Sequence, residues 1–185
     1  MTGTAAPSPV SRPLDVSRLA AGGRAVSIGA DADQRAALAE IHGLETVDGF
    51  RAELVVRPWQ RDGVRVTGEI VADIVQQCVV TLEPLPARLA VPVDATFVPR
   101  DSRLARRLEQ GEGQDVLIDP EGPDAPETFD SPFLDIGAVA EEFFALAIDP
   151  YPHKPGAGPV EMTAGEDDQA EQGPFAALDR LRKAR

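Results

Sequence analysis

The chain has 185 residues, and its 31 acidic residues outnumber its 18 Lys and Arg residues, which gives a formal net charge of −13. A surface with this negative excess repels phosphate groups, which excludes a protein that wraps nucleic acid with its whole surface. Contact with RNA would therefore have to be local or pass through a basic partner. Hydrophobic residues make up 43% of the chain, which is enough for a packed core in one domain with peripheral segments.

The sequence shows no membrane or secretion signal. Its N-terminal residues lack the apolar stretch of a signal peptide, and nowhere do about 18 apolar residues run together. The single cysteine, Cys78, cannot form an intrachain disulfide, which is typical of a reducing compartment. We expect a cytoplasmic protein without a membrane partner.

The N-terminal part is predicted to be a tail followed by an ordered arm. Residues 1–13 are mostly small and polar and contain proline, which predicts a flexible tail. Residues 14–30 hold short apolar clusters separated by Gly22 and Gly23, which favours a strand or an arm packed on the core.

The first predicted helix spans Asp31 to His42. Asp31 can cap the free backbone N–H groups, Gln34 stands at the capping-box position, and Gly43 provides the stop. His42 lies at the helix end, where a cation offsets the helix dipole. A thin apolar stripe is predicted for this helix: Leu38, Ile41 and Leu44.

A run of strands gives the strongest pattern in the sequence. Apolar and polar residues alternate with a period of two, which predicts strands with one buried face. The alternation covers three segments: residues 50–56, 64–74 and 89–97.

Short turns are predicted between these strands. Residues 60–63 (Gln-Arg-Asp-Gly) predict a hairpin turn, because Gly tolerates positive φ. Residues 75–82 continue the second strand or form a further one, and Pro84 and Pro86 mark the turn after it. Consecutive strands with short turns indicate a mainly antiparallel sheet.

The segment after the strands changes in charge. Residues 102–109 predict a short basic helix, and the acidic linker that follows at 109–130 contains no Lys or Arg. The chain ends in a predicted disordered acidic tether at 152–185, which closes with a short amphipathic segment.

The main helix is predicted for Leu134 to Ile148. Asp135 is its expected N-cap, while Glu141 and Glu142 are expected to face water. The sequence therefore predicts an α+β fold, with a mainly antiparallel twisted β-sheet packed by a few helices and with flexible termini. We expect a single domain over residues 14–151.

Several of these segments, taken in order, resemble the YceD family of large ribosomal RNA subunit accumulation proteins. The resemblance rests on three segments: Gly68–Pro84 (with Gln77-Cys78-Val79-Val80-Thr81-Leu82-Glu83), Leu134–Pro152 and Pro174–Leu178. It implies a bacterial protein that supports accumulation of large-subunit ribosomal RNA. Many family members carry a second cysteine three residues after the first, and Thr81 stands there in this chain. A metal or redox role of such a pair is therefore not expected here.

No arrangement of residues typical of a catalytic centre is recognisable in the sequence. There is no Ser/His/Asp arrangement, no GxGxxG after a strand and no phosphate-binding loop, so we expect no enzyme, no cofactor and no small-molecule substrate. Cys78 with His42 and His153 cannot form the common zinc sites, and a lone cysteine in an apolar strand is more often a small core residue.

Two groups of basic residues are candidates for binding RNA or a partner protein. The first surrounds one hairpin and includes the only tryptophan: Arg57, Trp59, Arg61 and Arg65. Arginine and aromatic side chains stack on unpaired bases, although Trp59 can instead fold onto the core. The second group lies on the short basic helix: Arg103, Arg106 and Arg107. These arginines can contact phosphate or pair with the acidic residues that follow.

The third candidate is an apolar stripe near the C-terminus. Phe175, Leu178 and Leu181 recur at helical spacing on a segment with a basic end. Such a stripe either packs on its own domain or binds a groove of a partner, and we favour the partner.

We interpret the chain as a non-enzymatic ribosome-biogenesis factor that acts by binding. Its expected partner is large-subunit ribosomal RNA or its precursor, reached directly or through a basic ribosomal protein. An acidic adaptor unrelated to ribosomes and a hydrolase that uses surface carboxylates are the alternatives.

Overall fold

The computed structural model of the chain describes residues 7–103, 105–106 and 125–156. Residues Met1–Pro155 belong to one compact unit, and Gly156–Arg185 belong to a second, of which only Gly156 is described. The description below concerns the first unit.

A five-stranded sheet forms the centre of the fold, in the order β2-β3-β4-β5-β6. Neighbouring strands are antiparallel except for the parallel pair of β5 and β6. Its strands are β2 (Arg24–Gly29), β3 (Thr46–Trp59), β4 (Gly63–Gln77), β5 (Pro84–Pro99) and β6 (Glu127–Phe129). A separate ladder joins β1 (Pro13–Asp15) to β7 (Phe133–Asp135). With helices α1 (Ala32–His42) and α2 (Ile136–Ala147), this confirms the predicted α+β class.

The alternating strand pattern places one face of the sheet in the core. Apolar residues of β3 and β4 face inward, as predicted, and join residues of both helices in one buried cluster. Phe144 of α2 is fully buried and contacts Phe50 of β3 edge to face, with ring centroids 5.5 Å apart. The opposite face of the sheet carries the polar side chains, such as those of Arg51, Glu53 and Arg65.

The predicted turn at Pro84 and Pro86 is wrong, because both prolines lie inside β5. The turn comes earlier, at 78–83, and β4 ends at Gln77. Both prolines and Pro92 have even residue numbers, so they are separated by an even number of positions along β5. Alternate residues of a strand point their backbone N–H positions to the same side. A proline at these positions is tolerated where that side is an open sheet edge.

Helix α1 forms as its sequence predicts. The Asp31 side chain accepts a hydrogen bond from the Gln34 N–H while the Gln34 side chain accepts one from the Asp31 N–H, which completes the capping box. Gly43 ends the helix in the left-handed conformation, with φ of 64°. The predicted apolar stripe is wrong at Ile41, which is 57% exposed, because only Leu38 and Leu44 of that stripe face the core.

Helix α2 is joined to the N-terminal arm through its N-cap. Asp135 accepts hydrogen bonds from the Gly137 and Ala138 N–H groups, as predicted, and also from the Arg12 N–H and the Ser11 hydroxyl. A Cβ atom on Gly137 would collide with the Val10 carbonyl oxygen, so this approach needs glycine.

The described part of the predicted tail therefore differs from the expectation of a flexible segment. Val10 is only 2% exposed, and the bonds from Ser11 and Arg12 to Asp135 tie residues 10–12 to α2. Residues 1–6 lie outside the described residues.

The predicted acidic linker is described only in its last part. Residues 127–129, within the predicted linker, form strand β6, and Asp130 pairs with Arg100 after β5. Residues 109–124 and the predicted tether from 157 onward lie outside the described residues. Within the described ranges, no helix is both long enough and apolar enough to span a membrane.

Candidate functional site

The hairpin between β3 and β4 brings the first predicted basic group to one end of the sheet. Antiparallel pairing places Arg57 directly opposite Arg65 and Trp59 opposite Gly63. Arg57, Arg65 and Trp59 share the outer face, because side chains on one strand alternate between faces. The predicted turn at residues 60–63 is confirmed, although the positive φ lies at Gln60 (53°) rather than at Gly63.

Gly63 is required for the packing of Trp59. A Cβ atom on Gly63 would lie 2.9 Å from Cε3 of the Trp59 ring and 2.8 Å from the Phe97 carbonyl oxygen. The ring therefore occupies space that a side chain would need. Trp59 is half-buried and lies outside the core cluster, so part of its ring surface is open to a binding partner.

The charges of this hairpin are only partly neutralised. Arg65 donates two hydrogen bonds to the Asp94 carboxylate, at 2.7 and 2.5 Å, which hold the pKa of Asp94 below its usual value. Arg57 and Arg61 are exposed, and neither makes an ion pair with another described residue. With respect to the described residues, these two guanidinium groups are available to phosphate or to an aromatic base.

Other arginines lie at the same end of the sheet. Arg24 is opposite Val56 at the start of β2, and Arg100 follows the end of β5 and pairs with Asp130 at 2.7 Å. Of the second predicted group, Arg103 and Arg106 are exposed on a helical turn just beyond Arg100. Arg107 and the acids of 109–124 lie outside the described residues, so pairing between them remains a prediction.

A cavity of about 590 Å³ opens beside the hairpin turn. Its lining includes Asp62 of the turn, Arg100 after β5 and Phe129 of β6. The lining thus combines an aromatic ring with both signs of charge, and it lies next to the hairpin that carries Arg57 and Arg61.

The opposite end of the sheet contains a turn that the sequence reading missed. Residues 75–82 are predicted to continue the second strand or to form a further one, but residues 78–83 form a turn in which the Cys78 N–H donates to the Glu83 carbonyl at 2.9 Å. The segment after α2 lies against it, because the Val79 N–H donates to the Pro152 carbonyl at 2.9 Å. A turn at this point agrees with the length of β4, which already contains 15 residues before Cys78.

Cys78 is fully buried within this turn, as a small core residue would be, but it is separate from the main core cluster. Its Sγ atom accepts hydrogen bonds from the Thr81 and Lys154 N–H groups, both at 3.4 Å. Hydrogen bonds from the Thr81 side chain and backbone, and then from Lys154, lower the pKa of the Cys78 thiol to about 6.

The histidines are engaged in local contacts. His42 Nε2 lies 3.1 Å from Oε1 of Glu141, and His153 Nδ1 lies 3.1 Å from the Tyr151 carbonyl oxygen. In the described ranges, no group of three His, Cys, Asp or Glu side chains is placed to hold a metal ion. The predicted C-terminal stripe of Phe175, Leu178 and Leu181 lies outside those ranges.

Comparison with known proteins agrees with the resemblance noted in the sequence. Residues 66–182 match the family described as large ribosomal RNA subunit accumulation protein YceD. The matched region begins within β4 and includes the 78–83 turn and helix α2. No curated protein and no solved structure shows significant similarity to the chain.

Proposed function

Because this chain belongs to the YceD family of large ribosomal RNA subunit accumulation proteins, we propose that it supports accumulation of 23S ribosomal RNA by binding. It acts as a non-enzymatic factor in the cytoplasm. Its partner is the large-subunit RNA or a precursor, contacted directly or through a basic ribosomal protein.

The hairpin end of the sheet is the surface proposed to contact RNA. The observation that carries this assignment is the outer-face row in which Arg57 lies opposite Arg65, with Trp59 beside it. Guanidinium groups bind phosphate oxygens and stack on bases, and a half-exposed indole ring offers a further stacking surface. The arrangement therefore suits unpaired nucleotides better than a regular duplex.

Charge distribution supports a local contact of this kind. The whole chain carries a formal charge of −13, so long-range attraction to RNA is absent. At the hairpin end, however, Arg57 and Arg61 have no acidic partner among the described residues. We therefore assign RNA contact to this end and, from their charge alone, the engagement of a basic ribosomal protein to the acidic linkers at 109–130 and 161–171.

Complementation in depleted cells tests the function. We expect depletion to lower the ratio of large- to small-subunit ribosomal RNA, and the intact chain to restore it. A chain with Arg57→Glu and Arg61→Glu should fail to restore the ratio. Arg88→Glu is the matched control, because Arg88 is also exposed on the outer face but pairs with Asp73 nearer the other end of the sheet.

Binding in vitro separates direct RNA contact from contact through a protein. With single-stranded 23S fragments, the double variant should bind more weakly and show a salt dependence reduced by roughly one unit per arginine lost. An unchanged RNA ratio after depletion would refute the ribosomal role. A restored ratio with the double variant would refute the hairpin as the contact surface.

A further inference from the structure

The end of the sheet opposite the hairpin collects most of the exposed apolar side chains in the described part of the chain. Among the described residues, Phe133 is the only exposed large apolar residue that does not lie at this end of the sheet. The others occupy the 78–83 turn, the segment after α2 and the last turns of both helices: Val79, Val80, Leu82, Tyr151, Ile41 and Leu146. We call this set the apolar end.

The turn at the centre of the apolar end is rigidly held. The Leu82 N–H donates to the Cys78 carbonyl, and the Cys78 Sγ accepts from both Thr81 and Lys154. Leu82 has φ of 59°, a left-handed conformation that glycine or asparagine adopts at lower cost. A strained leucine residue that is 65% exposed contributes little to the fold, so its position needs another explanation.

The charge around the apolar end is negative. Glu45 follows α1, Asp48 stands at the irregularity of β3, and Asp149 follows α2, all of them exposed. Glu83 is paired with Lys154 at 2.9 Å, so that cation is already neutralised.

The helix dipoles add to this potential. The C-terminal ends of α1 and α2 both lie at this end, because the Glu45 N–H bonds to the Val75 carbonyl and the Gln76 side chain bonds to the Asp149 carbonyl. A helix C-terminus carries partial negative charge, and the last turn of α2 has no basic residue to offset it.

We propose that the apolar end is a docking surface for a cationic protein segment that carries apolar side chains. The exposed leucine, valine and tyrosine side chains provide the apolar contact, while the carboxylates and helix ends select a positively charged partner. This inference deepens the proposed function, because it gives the chain one surface for RNA and a second, of opposite charge, for a basic protein. The two surfaces lie at opposite ends of β3 and β4.

Peptide binding to the full-length protein tests this surface. The probe is a short synthetic peptide of lysine and leucine residues, followed by fluorescence anisotropy. Two control peptides separate the contributions: lysine with serine, which retains only the charge, and glutamine with leucine, which retains only the apolar side chains. We expect the lysine–leucine peptide to bind and both controls to bind at least about tenfold more weakly.

Variants locate the binding. Val80→Ser with Leu82→Asn removes apolar surface while asparagine tolerates the left-handed backbone, and Glu45→Gln with Asp48→Asn removes charge. Each pair should weaken binding about tenfold, whereas Asp62→Asn, which removes an exposed carboxylate at the hairpin end, should leave it unchanged. Circular dichroism and urea unfolding verify that the variants remain folded.

Three results would overturn the inference. Equal binding of the lysine–serine peptide would mean that net charge alone attracts cations. Absence of peptide binding, with a dimer in sedimentation that the apolar variants dissociate, would assign the surface to a second copy of the chain. Absence of binding, with faster tryptic cleavage after Arg180 or Arg182 in those variants, would assign it to the C-terminal segment of the same chain. None of these results bears on the ribosomal RNA ratio, which tests the proposed function separately.

Discussion

His42 Nε2 lies 3.1 Å from Oε1 of Glu141, and this pair joins the last turn of α1 to the middle of α2. Both side chains are only 15% exposed, and the His42 ring also contacts Phe144 edge to face at 5.5 Å. Glu141 was expected to face water like Glu142, and that expectation is wrong. Glu141 instead holds the His42 ring that lies against the buried Phe144 ring.

Removal of this contact should destabilise the fold. We expect Glu141→Ala to lower the free energy of unfolding by about 1 kcal/mol, because a half-buried histidine nitrogen loses its partner. Glu142→Ala is the matched control, since Glu142 is exposed and adjacent in sequence. Urea unfolding followed by circular dichroism measures both, and equal losses in the two variants would contradict the role of the pair.

The N-cap of α2 should make stability depend on pH in the acid range. Burial opposes ionisation of Asp135, but hydrogen bonds from Ser11, Arg12, Ala138 and Gly137 outweigh it and hold the pKa of Asp135 below its usual value. The folded state therefore binds the proton less readily than the unfolded state. Its contribution is fully present above about pH 4 and is lost as the pH falls through the folded pKa.

Asp135→Asn tests this dependence. We expect the variant to be less stable than the parent at neutral pH and the difference to shrink as the pH falls below about 4. Asp62→Asn, at an exposed carboxylate in the hairpin turn, is the control and should show little change at either pH. A difference between Asp135→Asn and the parent that stays constant with pH would argue against the hydrogen-bonded carboxylate.

The Cys78 thiol should ionise near neutral pH. With a pKa of about 6, it is mostly thiolate at pH 7, and ultraviolet absorbance of the thiolate should rise around that pKa. Since the folded pKa is lowered, the thiolate contributes stability that is present above the unfolded pKa and is lost as the pH falls toward 6. Cys78→Ala should therefore destabilise the protein more at pH 9 than at pH 6, as urea unfolding at the two values would show.

Thr81→Val tests whether the Thr81 side chain causes the lowered pKa of the Cys78 thiol. It removes the hydroxyl group that contributes most to the lowered pKa but keeps the backbone N–H that donates to the sulfur. We expect the absorbance transition to move to higher pH while the fold stays intact. An unmoved transition would mean that backbone groups alone stabilise the thiolate.

The close packing at Gly63 should be sensitive to a single methyl group. Gly63→Ala places a Cβ 2.8 Å from the Phe97 carbonyl oxygen and 2.9 Å from the Trp59 ring. We expect a loss of about 1–3 kcal/mol in unfolding free energy and a shifted Trp59 emission. Gly29→Ala is the control, because no atom lies within 4 Å of its Cβ position. Similar behaviour of the two variants would contradict the contact.

Local sequence determined how both helices begin and where α1 ends. The capping box of Asp31 and Gln34, the left-handed Gly43 and the N-cap Asp135 all act within four residues, so they can be read without knowledge of the fold. The alternation along β3 and β4 likewise predicted which residues face the core, because burial repeats with the two-residue period of a strand.

Only the tertiary structure decided which distant residues meet. Pairing across strands placed Arg57 opposite Arg65 and supplied Asp94 from β5 as the partner of Arg65, 29 residues away. It also brought Lys154 to Cys78 across 76 residues and joined His42 to Glu141 across 99. Such contacts depend on strand register and helix packing, which are set by the whole buried core. The acidic apolar end is therefore a property of the folded chain that no short segment of its sequence encodes, whereas Arg57, Arg61 and Arg65 lie on one hairpin that the sequence predicts.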